Sequence, residues 1–385
     1  YLFASDEYAL RPFCQNIAYP DSHEIMIFES SGFNCLIENP PIFRAIEQEE
    51  ETQIKNNFML KEIQEQPQIF ARQAVMANEL PRLNGIQSLH FVACGTSFHA
   101  ALVAKYWFLA HTNLNITVEH ASEYRYINRQ PVANTAIVVL SQSGETADTL
   151  SALRYAKTRG MQSIALCNVP TSSIARESDF LVTLDAGREF GVASTKAFTS
   201  QLVRLAQLLS HISVFPPINF SSLITAAKQA ISKISDIKPI AQEIIQHQNA
   251  LFIGRLSGYP LAMEAALKLK EITYIHAEAY PAGELKHGPI ALIDENMPTI
   301  ALVSQFHQPE KTLSNIEEIK SRSGKVFIFS DMPIDNAIHL ENIENDFDFA
   351  VASTILLQQL AYEACKLKEL NPDKPRNLAK SVTVE

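Results

Sequence analysis

Ala136–Leu140 reads AIVVL, and Ser141–Thr149 follows directly as SQSGETADT. A short, wholly apolar, β-branched run thus passes into a hydroxyl-rich turn and then, from Glu145, into residues of helix-forming composition. Such a run predicts a strand buried on both faces of a parallel sheet. The turn predicts an anion site. Gly144 lets the backbone approach a ligand closely, and Ser141, Ser143, Thr146 and the N–H groups of the helix's first turn supply donors without a lysine. Read alone, the same residues also suit an ordinary capped loop, because Ser and Thr are common N-cap residues.

The segment occurs twice. Ile300–Leu313, IALVSQFHQPEKTL, aligns with Ile137–Leu150, IVVLSQSGETADTL, at an offset of 300 − 137 = 163. Phe91–Ser97 (FVACGTS) and Leu251–Ser257 (LFIGRLS) match at an offset of 160, and Glu119–Tyr124 and Ile275–Tyr280 at 156. The chain therefore contains a duplicated domain. Ser143, Gly144 and Thr146 are matched by Phe306, His307 and Pro309, which cannot build the same donor cradle, so only the first copy is expected to hold phosphate in this way.

Strands alternating with helical segments over 385 residues, with 46% hydrophobic content, predict two α/β domains with parallel sheets covered on both faces. The net charge of −10 and the lack of a basic and aromatic cluster argue against nucleic acid. An anionic substrate must be held by local donors against that overall field. Five cysteines without a CxxC pair suggest a reducing, cytoplasmic setting and no structural zinc. No stretch has the length of a membrane span, since Leu202–Ile212 is interrupted by Arg204 and His211. Glycine is scarce, at 12 residues, and eight of these fall in motif loops, where parallel sheets bind ligands. The chain begins at Tyr1 and reads as a piece of a longer protein.

The expected organisation is a short non-domain segment over 1–30, a linker and helix over 31–80, a first α/β domain over 81–215, a helical connector over 216–248, a second domain over 249–370 and an irregular tail over 371–385. Two prolines, Pro372 and Pro375, exclude a continuous helix in the tail.

Three places carry candidate chemistry. Glu264, Lys268 and Glu271 share one helix face at spacings of four and three. They suit a solvated ion-pair stripe or, because their helix follows the Gly254–Gly258 loop, an acid/base pair facing a cleft. His287 lies in the polar, glycine-flanked loop GELKHGP (Gly283–Pro289). Lys380 has Leu378, Ala379, Val382 and Val384 as neighbours, apolar enough to dock the tail and to make a partly desolvated lysine an imine-forming nucleophile. No GxGxxG follows a strand, which argues against a nicotinamide cofactor, and there is no metal-ligand cluster.

CGTS, SQSGETADT, GVASTKAFT (Gly191–Thr199), ELKHGP and DKPRNLAKSVTVE occur in that order. Together they closely resemble the isomerase half of the glutamine:fructose-6-phosphate aminotransferase, or glucosamine-6-phosphate synthase, family, over about Asn57–Glu385. The resemblance implies two tandem doubly wound, flavodoxin-like sugar isomerase (SIS) domains and an irregular tail carrying the active-site lysine. It implies that residues 1–30 are the end of a glutaminase domain whose remainder is missing. The family's glutaminase nucleophile is an N-terminal cysteine, whereas this chain starts at Tyr1 and its Cys14 is not in an equivalent place. Glutamine hydrolysis is therefore expected of the parent protein and not of this chain.

Position by position, the resemblance places Ser97, Ser141, Gln142, Ser143 and Thr146 on the sugar phosphate, and Val192, Ser194 and Ala379 against the sugar. Lys380 would form an imine with C2 of fructose 6-phosphate, Glu271 would move the proton between C1 and C2 with Lys268 beside it, and His287 would open the ring from the neighbouring subunit of a homodimer. The product would be glucosamine 6-phosphate, with no cofactor and no metal. Two rivals fit parts of the pattern: a SIS-type sugar-phosphate-binding regulator, and a deaminase or deglycase acting on another sugar phosphate.

Overall fold

The computed structural model describes residues 57–75, 80–127 and 133–384, together with a few short pieces among the first 55. The chain divides into two compact units, Tyr1–Lys55 and Asn56–Glu385. In the smaller unit, Met26–Glu29 pairs antiparallel with Gly32–Cys35, and Asn16–Ile17 pairs with Arg44–Ala45. Most of residues 1–30, and the charged stretch over 46–56, lie outside the described residues.

The larger unit contains two five-stranded sheets, parallel throughout. The first comprises β1 (Ser88–Ala93), β2 (Asn115–His120), β3 (Thr135–Ser141), β4 (Gln162–Cys167) and β5 (Phe180–Thr183), in the order β2-β1-β3-β4-β5. The second comprises β6 (Asn249–Gly254), β7 (His276–Pro281), β8 (Thr299–Val303), β9 (Val326–Ser330) and β10 (Ile338–His339), in the order β7-β6-β8-β9-β10. The orders are identical, as the repeat requires, and both are the doubly wound arrangement expected from the sequence. In register, His90 lies between Thr117 and Ile137, and Phe252 between Ala279 and Ile300.

The predicted strand β3 is buried at every position, and its side chains alternate between two cores as strand geometry demands. Ala136, Val138 and Leu140 point into the large shared core, while Ile137 and Val139 point outward to Leu153 and Ile174. The shared core joins the inner faces of both sheets through the helices Gly95–His111, Lys196–Ile212, Gly258–Thr273 and Asp346–Leu367. Each large side chain fully buried there stabilises the fold by about 1.5–3 kcal/mol. Arg204, noted as a break in apolar character, is fully buried and ion-paired to Asp185 while donating to the Thr183 carbonyl.

Three local expectations need correction and a fourth gains detail. The helix after the SQSGET turn starts at Ala147, because Glu145 turns away to accept the Ser173 amide with its carboxylate at 2.7 Å. The connector expected to be helical consists of two helices, Phe220–Ser232 and Ile234–Ile244, meeting at Lys233. The loop carrying His287 is wound into short 3-10 turns, Ala282–His287 and Pro289–Leu292. The tail is irregular as expected, but its valines do not dock it: Val382 is 56% and Val384 72% exposed. Buried Pro372, Asp373 and Pro375 hold it instead.

Candidate active site

β1 and β3 are neighbours whose connections leave in opposite directions, and such a switch point opens a crevice at the carboxyl ends of the strands. Both predicted phosphate turns lie there. After β3, the Gly144 amide donates to Ser141 Oγ at 2.9 Å, Glu145 N–H donates to Ser143 Oγ at 3.2 Å, and the Thr146 hydroxyl lies 3.3 Å from Ser141 Oγ. Gly144 has φ of 71°, and a Cβ on it would fall 1.9 Å from Ser172 Oγ, so no other residue fits. Gln142 is half-buried on this turn. After β1, Ser97 lies in the first turn of the helix Gly95–His111, and its hydroxyl accepts from Gln201 Nε2 at 2.8 Å. Ser97, Ser141, Gln142, Ser143 and Thr146 thus sit on two turns flanking one crevice.

The tail is fixed to the body at both of its ends. The Asp373 carboxylate accepts the amides of Asn57, Phe58 and Met59 at 2.9, 3.0 and 2.8 Å. It caps the helix Phe58–Gln64 from more than 300 residues away, where an anion meets the positive end of the helix. The Asp373 carbonyl accepts the Val192 amide at 3.2 Å. Further on, Lys380 Nζ donates to Glu189 Oε2 at 2.6 Å and to the Gly191 carbonyl at 2.8 Å. The next residue, Ser381, places its hydroxyl 3.0 Å from that of Ser143, and the Val382 carbonyl accepts the Ala147 amide at 3.2 Å. The tail therefore runs from the Glu189–Gly191 loop to the SQSGET turn, with the Lys380 amine beside the first. Ala379 is exposed next to it.

Glu189 is wholly buried, and both its oxygens are used. Oε1 accepts the amides of Thr195 at 2.9 Å and Ala197 at 3.1 Å, while Oε2 accepts from Ser194 Oγ at 3.1 Å and from Lys380. Burial pushes its carboxyl up, but the Lys380 ammonium and the two amides outweigh that and hold it below the usual glutamate range. Behind the loop, Glu62 Oε1 accepts the amides of Phe190 and Gly191, and Oε2 is buried without a hydrogen-bond partner among the described residues. Burial, then repulsion from Glu189, raises the Glu62 carboxyl to about 7.

The helix Gly258–Thr273 presents the Glu264–Lys268–Glu271 face, and most of it is not solvated. Glu264 is 2% and Lys268 1% exposed. Lys268 Nζ lies 2.6 Å from Glu271 and 3.4 Å from Glu264, and it donates to Thr96 Oγ1 at 3.0 Å. Thr96 Oγ1 donates to Glu264 at 3.0 Å, and His99 Nδ1 sits 2.8 Å from the other oxygen of Glu264. The first-domain helix Gly95–His111 thereby covers this face. Burial presses down on the Lys268 pKa, but Glu264 and Glu271 outweigh it, with Glu189 adding to their field, so Lys268 is a fixed cation. Glu189 is the electrostatic link between this triad and Lys380.

The single chain does not bring every candidate together. His287 is exposed at the end of its 3-10 turn, and no hydrogen bond or ion pair among the described residues joins it to the others. In the second domain, the place matching Gly144 is taken by His307, whose Nε2 lies 2.6 Å from Ser257 Oγ and 2.5 Å from Asp346 Oδ1, with Trp107 Nε1 donating to Asp346 at 2.9 Å. That crevice is filled by the protein's own carboxylate and imidazole. Sequence reasoning missed Glu189, Glu62, Thr96, Gln201 and Asp373. Glu189 stands two residues before the GVASTKAFT stretch and Asp373 opens DKPR, so both lay beside recognised motifs.

Comparison with known proteins agrees with the duplication. The SIS domain family model matches residues 83–211 and 243–365. The chain is 39% identical, over 99% of its own length and 69% of the relative's, to a glutamine–fructose-6-phosphate aminotransferase (isomerizing) of Idiomarina loihiensis. It is 40% identical, with the same coverage, to the protein of that name from Bradyrhizobium diazoefficiens. The solved C-terminal domain of glucosamine-fructose-6-phosphate aminotransferase from Francisella tularensis superposes with a TM-score of 0.75 at 39% identity, covering 85% of this chain and all of that one.

Proposed function

Since the chain belongs to the glutamine–fructose-6-phosphate aminotransferase (isomerizing) family and carries its pair of SIS domains, we propose that it turns fructose 6-phosphate into glucosamine 6-phosphate at the crevice around Lys380. The nitrogen is ammonia derived from glutamine. Ser97, Ser141, Gln142, Ser143 and Thr146 hold the phosphate through hydroxyl and amide donors, which suits a chain whose overall charge repels anions. Val192, Ser194 and Ala379 line the sugar. His287, contributed by a second copy of the chain, opens the ring. Lys380 forms the imine at C2, and Glu271 moves the proton between C1 and C2. Lys268, held as a cation between Glu264 and Glu271, keeps Glu271 oriented and supplies positive charge where an oxyanion develops at C1 or C2.

One observation carries this reading. The Lys380 amine is seated on Glu189 and the Gly191 carbonyl, and the adjacent Ser381 touches Ser143 of the phosphate turn. A regulator that only bound a sugar phosphate has no use for an amine held there. Borohydride reduction in the presence of fructose 6-phosphate, followed by peptide mass analysis, should give a sugar-phosphate adduct on Lys380, absent from Lys380→Arg. Substrate binding without any adduct would overturn the reading.

A further inference from the structure

A lysine ammonium has no lone pair, so an imine can form only after a proton leaves Nζ. Its two hydrogen-bond partners among the described residues are the Gly191 carbonyl, which does not take up a proton, and Glu189, which does. We infer that Glu189 is a further catalytic residue: it takes a proton from the Lys380 ammonium, and it returns that proton to the hydroxyl that departs as the imine forms. The inference rests on Lys380 as the imine-forming residue.

The geometry is suited to the transfer. The Oε2–Nζ separation of 2.6 Å is within proton-transfer reach. The amides of Thr195 and Ala197 fix Oε1, and Oε2, which also accepts from Ser194 Oγ, is the oxygen that meets the lysine. Transfer turns an ion pair whose carboxylate is buried into two neutral groups, and the burial of Glu189 lowers the cost of that step. Three charged or titratable groups act on Glu189, namely Glu62 from the helix Phe58–Gln64, Lys268 from the helix Gly258–Thr273, and Lys380 itself, while Lys196 acts on Glu62. Glu62 lies so close behind the loop that its Oε2 is 2.9 Å from where a Cβ on Gly191 would stand, and negative charge there raises the proton affinity of Glu189.

The atoms balance. The ammonium carries three protons. One passes to Glu189, the neutral amine attacks the C2 carbonyl, and a second proton moves from nitrogen to the former carbonyl oxygen, giving the carbinolamine. Glu189 then protonates that hydroxyl, the C–O bond breaks and water leaves. The third proton remains on the iminium nitrogen and Glu189 is again a carboxylate.

The rate of borohydride trapping with fructose 6-phosphate, measured from pH 6 to 10, tests this. Glu189→Gln should slow trapping about 10²- to 10⁴-fold at pH 7 while leaving substrate binding by calorimetry within a few-fold. Its rate should then rise steadily with pH across this range, because base in solution replaces the lost carboxylate. Glu189→Asp, which keeps the acid but shortens its reach, should trap slowly with the wild-type pH profile, and it serves if the glutamine variant is poorly folded. Wild-type trapping rates in Glu189→Gln at pH 7, or a loss that high pH does not recover, would overturn the role of Glu189. Absence of any Lys380 adduct in the wild-type chain would instead overturn the reading of Lys380.

Discussion

Replacing Glu62 by Gln should change how stability depends on pH, and the size of the effect follows from burial. The folded Glu62 carboxyl sits at about 7, raised from 4.5 by desolvation and by the neighbouring Glu189 charge. Its folded value lies above its unfolded one, so the stability it contributes is fully present below pH 4.5 and is lost as pH rises through 7. A pKa unit corresponds to about 1.4 kcal/mol, so the wild-type chain loses about 1 kcal/mol by pH 5, about 2 by pH 6 and about 3 at and above pH 7 from this group. Gln keeps an oxygen for the Phe190 and Gly191 amides and removes the ionisation. Urea unfolding of both proteins at pH 5, 6, 7 and 8 should show their stability difference moving in favour of Glu62→Gln by about 2 kcal/mol between pH 5 and pH 7, then flattening. Curves that stay parallel within about 0.5 kcal/mol over this range would refute the argument, because Glu62 would then be ionising in place without cost.

Two further substitutions separate binding from proton transfer. Ser143→Ala removes one hydroxyl donor from the phosphate turn and should raise KM roughly tenfold with kcat nearly unchanged. Glu271→Gln should lower kcat by about 10²- to 10⁴-fold with binding preserved, and steady-state kinetics with calorimetry will show whether the two losses really differ in kind. Mixing inactive Lys380→Ala chains with inactive His287→Ala chains should restore roughly a quarter of wild-type activity, since a mixed pair in a two-fold dimer keeps one intact site. No recovery after subunit exchange would place His287 and Lys380 of one site on the same chain.

The sheets were legible because their signals are local: an apolar run, a hydroxyl turn and a second copy at a near-constant offset suffice to fix strand β3, its turn and its counterpart β8. Periodicity also placed Glu264, Lys268 and Glu271 on one face. It could not say that Thr96 and His99 of another domain cover that face, because a helical pattern records which residues align and not what packs on them. The same limit hid Glu189 and Asp373, whose partners lie 191 and more than 300 positions away. The tail was misjudged in kind. Isolated valines suggested apolar docking, yet a segment with two prolines and no regular hydrogen bonding is held better by a carboxylate on free helix amides and a lysine on a buried acid.

Asp373 caps a helix that begins at Phe58, and Lys380 follows seven residues later. In the order of synthesis both sheets and their shared core precede the tail, so a chain interrupted between Leu367 and Lys380 has its phosphate turns but no amine. The Asp373 cap thereby ties the placement of the Lys380 amine to the first turn of the helix Phe58–Gln64, so a change at either end of that contact acts on a group seven residues further along the tail.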